Sequence, residues 1–431
     1  MTAVSTTASY YRATALPHES CAPLEGRHDA RIVIIGGGFA GLNTALSLAE
    51  RGIRDVTLLE AEDIGFGASG RNGGFVFAGY SLGEAALLER LGASRARSLF
   101  THTVAAVETI RARIRQYDID CDCVDHGVIW ANWFRDPEVL RARQRLLSEN
   151  FDATWEWLSR EDMAERLRTP RYSAGLFERN AMHIHPLAYA RGLAGVAAEQ
   201  GVRIHEHSKA TALARASNGG WIVRTRGGSV HAEHVVLACG GYLAGLDRHV
   251  DRAVLPIATY VMVTEPLGAR LAETVNTRAA VYDTRFAFDY YRALPDTRLL
   301  WGGRISVRDR SAHAVKHLLR KDLLRVYPSL ADVRIDYAWS GLMSYARHEM
   351  PQIGTDGHGL WWAQAFGGHG LAPTTAAGKL LAGALAGDDE DWREFAEFGL
   401  VRSFRPFGYL GAQARYSWLQ MKDRLKEALE G

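Results

Sequence analysis

Apolar positions along the chain switch between short continuous runs and helical spacing, and the order of the switches predicts an α/β architecture. The run Ile32-Val33-Ile34-Ile35 reads as a buried parallel strand, and Leu42, Ala45, Leu46, Leu48 and Ala49 follow it with the spacing of a helix. A second short run, Val56-Thr57-Leu58-Leu59, completes a βαβ unit. Helical spacing returns over 84–117, over 137–167 with interruptions, and from Pro186 to about Gln200, where Gly201 stops it. Strands are expected at 202–204, 221–223 and 234–238, then at 257–264, 280–293, 298–305 and 333–339. The α/β pattern resumes with Leu360-Trp361-Trp362-Ala363, a glycine-rich turn at 367–370 and a helix from about Thr374 to Leu385.

The first strand runs directly into Gly36-x-Gly38-x-x-Gly41. In this arrangement Gly36 makes the tight turn, Gly38 lets backbone touch a pyrophosphate, and Gly41 lets the helix pack close on the strand. Phe39 and Ala40 open that helix, whose free N–H groups favour an anion. Glu60 ends the second strand, nineteen residues past Gly41, where an acid reaches the ribose hydroxyls. Ala61 follows it. The pattern points to a dinucleotide with an unphosphorylated ribose. Further glycine turns lie at 65–74, at Gly240-Gly241 and at Gly367-Gly368-His369-Gly370, so nucleotide-binding signals recur at the start, middle and end of the chain.

Composition narrows the function classes. A chain of 431 residues with 47% hydrophobic and 23% charged residues fits two intertwined domains or one large one. The net charge of +2 gives no electrostatic footprint for nucleic acid or an anionic membrane. Sixteen scattered histidines and four cysteines offer neither metal-ligand spacing nor a disulfide framework, so no metal is expected. Residues 1–29 lack the basic start and apolar core of a signal peptide, and no run is long enough to span a bilayer. A cytoplasmic location is the expectation.

These elements carry a resemblance. Ser9-Tyr10-Tyr11, the glycine motif with Glu60, Gly65-Phe66-Gly67-Ala68-Ser69-Gly70-Arg71-Asn72-Gly73-Gly74, Val236-Leu237-Ala238-Cys239-Gly240-Gly241, Tyr290-Tyr291-Arg292, Trp339-Ser340-Gly341 and Gly368-His369-Gly370-Leu371 span nearly the whole length. The chain resembles the D-amino-acid-oxidase-like (DAO) family of FAD-dependent amine and amino-acid oxidoreductases, and within it the gamma-glutamylputrescine oxidase branch. The resemblance implies a Rossmann-like FAD-binding domain interleaved with an α+β substrate domain built on a mostly antiparallel sheet. The expected partition is an N-terminal arm (1–29), an FAD-binding domain (30–82, 175–248 and 348–390), a substrate domain (83–174 and 249–347) and a C-terminal extension (391–431).

FAD, held non-covalently, is the implied cofactor, since the 65–74 loop carries no His and residues 289–431 contain no Cys. Ser69, Arg71, Asn72 and Gly73 are expected near the flavin ring, Ala210 at the adenine edge, and Gly240 at the crevice. Gly368, His369, Gly370 and Leu371 are expected to face the part of the ring where negative charge develops. The implied reaction is hydride transfer to flavin N5 from a carbon bearing a neutral amine, giving an imine that hydrolyses or cyclises. Phe286, Phe288, Tyr290 and Arg292 share one face by the two-residue strand period, making Tyr290 a pocket residue and Arg292 a carboxylate anchor. A gamma-glutamylputrescine-like amine leads as substrate, with pipecolate or another cyclic imino acid next and a non-catalytic flavoprotein sensor or subunit as the rival of another class. An FAD-dependent tRNA-modifying oxidase is disfavoured by the missing basic stripe. Sarcosine-oxidase-like members carry lysines where this chain has Ala372 and Arg298-Leu299-Leu300-Trp301, which disfavours sarcosine and leaves O2 or a quinone-type partner open as electron acceptor.

Overall fold

The computed structural model describes residues 9–217 and 219–430, and in it the chain builds two large sheets. The first has the spatial order Gln352–Thr355, Leu360–Gln364, Gly228–Leu237, Gly26–Ile35, Val56–Leu59, Arg203–His205. All pairings among the last five are parallel, and Gln352–Thr355 closes one edge antiparallel. Both faces are covered, which accounts for the uninterrupted apolar run at 32–35. Ile32 and Ile34 pack into the helical side with Leu42 and Leu46, while Val33 and Ile35 pack with Val230 and Leu243 on the other.

The second sheet runs Ile335–Tyr345, Leu255–Thr264, Leu299–Ser306, Asp289–Ala293, Ala280–Asp283, Val128–Ala131, Gly175–Glu178, Glu156–Leu158. It is antiparallel throughout except between Ala280–Asp283 and Val128–Ala131. Tyr291 stacks on Trp301 at 4.5 Å between ring centroids, and the helix Ala312–Val326 seals this core with Val315, Leu319 and Leu323. The α/β class and the mostly antiparallel second sheet agree with the sequence reading.

Domain bounds follow packing rather than the expected cuts. Gly175–Glu178 belongs to the second sheet, and the first strand already begins at Gly26. The helix Ala93–Gln116 lies with the nucleotide-binding part, where Leu99, Val107 and Ile110 join its core and Lys379 Nζ donates to Thr109 Oγ1 at 3.1 Å. The stretch 280–293 breaks into two strands because Arg285 bends back between Asp283 and Asp289, both buried, and donates to each carboxylate. Phe286 and Phe288 therefore stand in the connecting loop, not on the strand face with Tyr290 and Arg292. Residues 1–8 of the expected arm lie outside the described residues; the short helix Tyr10–Thr14 buries Tyr10 and Tyr11 against Trp339 and Tyr337.

One contact sets the spacing of the nucleotide-binding part. The helix Leu371–Ala386 crosses Phe39–Glu50 at Gly378, where a Cβ would stand 2.6 Å from the Asn43 backbone carbon and 2.7 Å from Thr44 N. Backbone cannot yield as a flexible side chain can. Gly378→Leu is therefore expected to destabilise the fold by about 1–3 kcal/mol or more, seen as a lower denaturation midpoint; an unchanged midpoint would mean that the two helices can part without cost.

Candidate active site

A cavity of about 1160 Å³ opens at the carboxyl ends of the parallel strands and continues under the second sheet. At its nucleotide end are Gly36, Gly38, Phe39, Ala40, Glu60, Ala61, Ala210 and Gly240. Gly36 has φ +114°, and a Cβ there would meet Ala238 O at 2.6 Å, so the turn requires glycine. Gly41 is outside the cavity. A Cβ on it would stand 2.0 Å from Gly36 O, which makes it the close-packing glycine of the motif. Glu60 Oε2 accepts the Gly37 N–H at 2.5 Å and Oε1 accepts that of Glu62 at 2.9 Å. Burial raises this carboxyl, and those amides pull it back.

The 65–74 loop folds over the cavity and is fastened by its own side chains. Ser69 Oγ accepts the Phe39 N–H at 2.9 Å, at the start of the first helix. Asn72 lines the cavity and also braces the loop, donating to Ala68 O and Ser69 O and accepting from Gly74 N–H. Arg71 is buried yet lines the cavity; Nε donates to Phe66 O at 2.8 Å and one terminal nitrogen to Ser340 O at 3.3 Å. Opposite, Gly368, His369, Gly370 and Leu371 line the wall at the start of Leu371–Ala386, whose N-cap, Gly370, supplies no side-chain cap. His369 packs tilted against Phe77 with ring centroids 4.1 Å apart, and its Nε2 lies 3.0 Å from Phe77 O.

These residues fit FAD. Two helix N-termini without side-chain caps of their own residues face one elongated space, a carboxylate stands at the end of the second strand, and glycines occupy the positions of closest approach. Glu60 could hold the ribose, the Gly36–Ala40 turn the pyrophosphate, and Gly73 and Gly368–Leu371 the ring.

The substrate end departs from expectation at Arg292. Its side chain is 1% exposed and is absent from the cavity wall. Nε donates to Gly73 O at 2.8 Å, Nη2 to Ile184 O at 2.8 Å and to Tyr11 Oη at 3.3 Å, and Nη1 faces His183 Nδ1 at 3.2 Å. With these donors engaged and its side chain off the cavity wall, Arg292 is not the expected carboxylate anchor but a brace that ties the arm and the glycine loop to the second sheet. Tyr290 does line the cavity, laid flat between two glycines: a Cβ at Gly302 would meet its ring at 2.1 Å and one at Gly73 at 2.5 Å.

The sequence reading missed Arg143, Glu84 and Tyr282. All three line the cavity. Arg143 lies over Trp130 at 4.6 Å and Trp155 at 4.7 Å and donates to Glu84 Oε1 at 3.0 Å, yet its Nε has no partner among the described residues. The Tyr282 hydroxyl is buried beside the Arg143 guanidinium, and its ring stacks on Phe77 at 5.5 Å. Behind them burial pushes the Glu178 carboxyl up to about 8. Nothing in the spacing of 84, 143, 178 and 282 signalled this cluster; only the fold collects it.

Over residues 31–384 the chain matches the DAO family of FAD dependent oxidoreductases, and it belongs to that family. It is an FAD-dependent oxidoreductase of the amine and amino-acid-oxidising class. It is 34% identical to gamma-glutamylputrescine oxidoreductase of Escherichia coli over 427 residues, covering 97% of this chain and 99% of that protein. It is 33% identical to the probable oxidoreductase OrdL of Haemophilus influenzae, covering 85% of each. Its fold is similar to that of glycine oxidase from Geobacillus kaustophilus, with a TM-score of 0.72 at 22% identity over 87% of this chain and 99% of that one. L-proline dehydrogenase from P. horikoshii gives 0.71 at 18%, over 87% and 100%.

Two outcomes follow from the site. Cys239 lines the cavity, but burial pushes its thiol up to about 12, and Sγ lies 3.3 Å from Ile35 O. A protonated thiol is a poor nucleophile, so acid precipitation is expected to leave intact flavin in the supernatant; colour retained in the pellet would show a covalent link.

The second outcome concerns pH. Burial, aided by the Arg292 charge, pushes His183 from 6.5 down to about 3 and His185 to about 4, and burial brings His369 to about 4. Rings neutral in the fold but protonated in the unfolded chain make the unfolded state bind more protons from pH 6.5 down to about 4, so stability falls as pH falls through that window. His185 Nδ1 accepts the Ala188 N–H as a helix cap, a role asparagine can keep. His185→Asn should therefore reduce the loss between neutral and acid pH by about 1–3 kcal/mol in denaturant titrations.

Proposed function

We propose that the enzyme oxidises a C–N bond of an amine carrying a remote amino-acid head, a gamma-glutamylputrescine-like substrate, to an imine that hydrolyses or cyclises. The observation that carries this reading is the continuity of one cavity from the dinucleotide cradle to an aromatic chamber containing the Arg143–Glu84 pair. The likeness along the full chain to the E. coli enzyme supports the same substrate class.

Bound FAD supplies a hydride acceptor. The chain's own groups do the rest. Tyr290, Tyr282, Phe77 and Phe288 give the reacting carbon an apolar, aromatic wall that disfavours the ammonium form, and a neutral amine has the lone pair that expels the hydride. Arg143, stiffened between two indoles on the cavity wall, offers its guanidinium to a substrate carboxylate, while Glu84 beside it accepts from the head ammonium. Gly370 and the first turn after it would present N–H groups to the bound ring, where negative charge grows on reduction, and Arg71 on the cavity wall would add positive charge.

Anaerobic mixing with gamma-glutamylputrescine is the test, and the yellow colour is expected to bleach. Arg143→Lys keeps the charge but loses the planar fork, so glutamylated substrate should bind more weakly by about 1.5–3 kcal/mol while plain diamines change little. Equal losses for both would remove Arg143 as the anchor, and no bleaching by any glutamylated amine would remove the substrate class.

A further inference from the structure

The helix Phe407–Glu430 is mounted inside out. Its polar face holds the body of the protein: Ile305 N–H donates to Tyr416 Oη at 3.1 Å, Val307 N–H to Gln413 Oε1 at 3.3 Å, and Phe286 N–H to Asp423 Oδ2 at 2.8 Å. Arg171 and Arg325 donate to Glu427, and Arg135 N–H to Glu430. Its apolar face looks outward, with Phe407 76%, Leu410 70%, Trp418 57%, Met421 52%, Leu425 60% and Leu429 79% exposed. An ordinary surface helix has the opposite polarity. The apolar positions 407, 410, 414, 418, 421, 425 and 429 repeat as three, four, four, a period of about 3.67 that keeps the stripe straight along a helix about 36 Å long.

Charge decides what such a stripe meets. All three acids of the helix, Asp423, Glu427 and Glu430, are turned to the body, whereas three of its four bases, Arg415, Lys422 and Arg424, are exposed beside the stripe and the fourth, Lys426, lies over Phe134 at 4.2 Å. Arg415 remains 62% exposed although paired with Glu349. A second copy of the same face would set bases against bases with no acid of the helix to meet them. A surface that is apolar beneath and anionic above complements both features.

We propose that this helix docks the enzyme onto the surface of an anionic lipid bilayer, lying in the plane of the interface. No helix among the described residues is long and apolar enough to cross a membrane, so the attachment is peripheral. Phe404, Phe407 and Arg415 belong to both the exposed face and the cavity wall, so docking sets the flavin cavity against the lipid, where a quinone-class electron acceptor dissolves. The docking is independent of which amine is oxidised.

The test is sedimentation of the full-length, flavin-loaded enzyme with vesicles of equal parts phosphatidylglycerol and phosphatidylcholine, and with phosphatidylcholine alone. Binding is expected to the anionic vesicles only and to weaken with salt. Trp418→Glu with Leu425→Glu, and separately Lys422→Glu with Arg424→Glu, should each lower the bound-to-free ratio about tenfold or more while flavin content stays the same, since all four side chains are exposed. Failure of the wild type to sediment with anionic vesicles, or equal binding by the variants, would overturn the proposal. So would a wild-type dimer that Leu425→Glu dissociates, because the stripe would then be an interface between copies.

Discussion

The close approach of backbone to backbone around the first glycine turn is the constraint from which the rest follows. Gly41 lets the first helix sit against Gly36 O, and Gly378 lets the last helix of the nucleotide-binding part sit against Asn43 and Thr44. Neither contact admits a Cβ. Together they bring two helix N-termini, separated by more than three hundred residues of sequence, to one elongated space. The positive ends of both helices would then favour an anionic pyrophosphate at one point and negative charge on a bound ring at the other.

Around that centre the protein uses arginines as fasteners as well as ligands. Arg292 is consumed by Gly73 O, Ile184 O and Tyr11, and Arg285 by Asp283 and Asp289. Arg143, in contrast, lines the cavity wall, where it donates to Glu84. Desolvation explains the division. A guanidinium buried with its donors met by carbonyls or carboxylates stabilises a junction, whereas one on a cavity wall can also meet an anion there. The same burial keeps His183, His185 and His369 neutral, so the arm and the glycine loops lose support as acidity rises.

Legibility differed by the range of the signal. The strand–turn–helix at 32–50, Glu60 and the helix after Gly370 were readable because each is a local pattern whose chemistry is set within about twenty residues. Tyr290 was placed in the cavity by strand alternation, yet the same alternation misassigned Arg292, because side-chain direction on a strand says nothing about what the neighbouring segment offers. Phe286 and Phe288 left the strand because two buried acids captured Arg285, a competition that periodicity cannot register. Arg143 and Glu84 sit on separate helices whose spacing carries no motif.

The sequence by itself determined the nucleotide-binding unit and the α/β class, since glycine positions, apolar runs and a strand-end acid act through covalent geometry and nearest neighbours, while the family and its cofactor were legible as a resemblance carried by motifs along the chain. Only the tertiary structure decided which arginine faces the substrate chamber, which merely braces it, and that the last helix turns its apolar side outward. Those properties depend on which carbonyls, carboxylates and rings arrive from distant segments to satisfy a donor or cover a face, and burial rather than residue type settles the outcome.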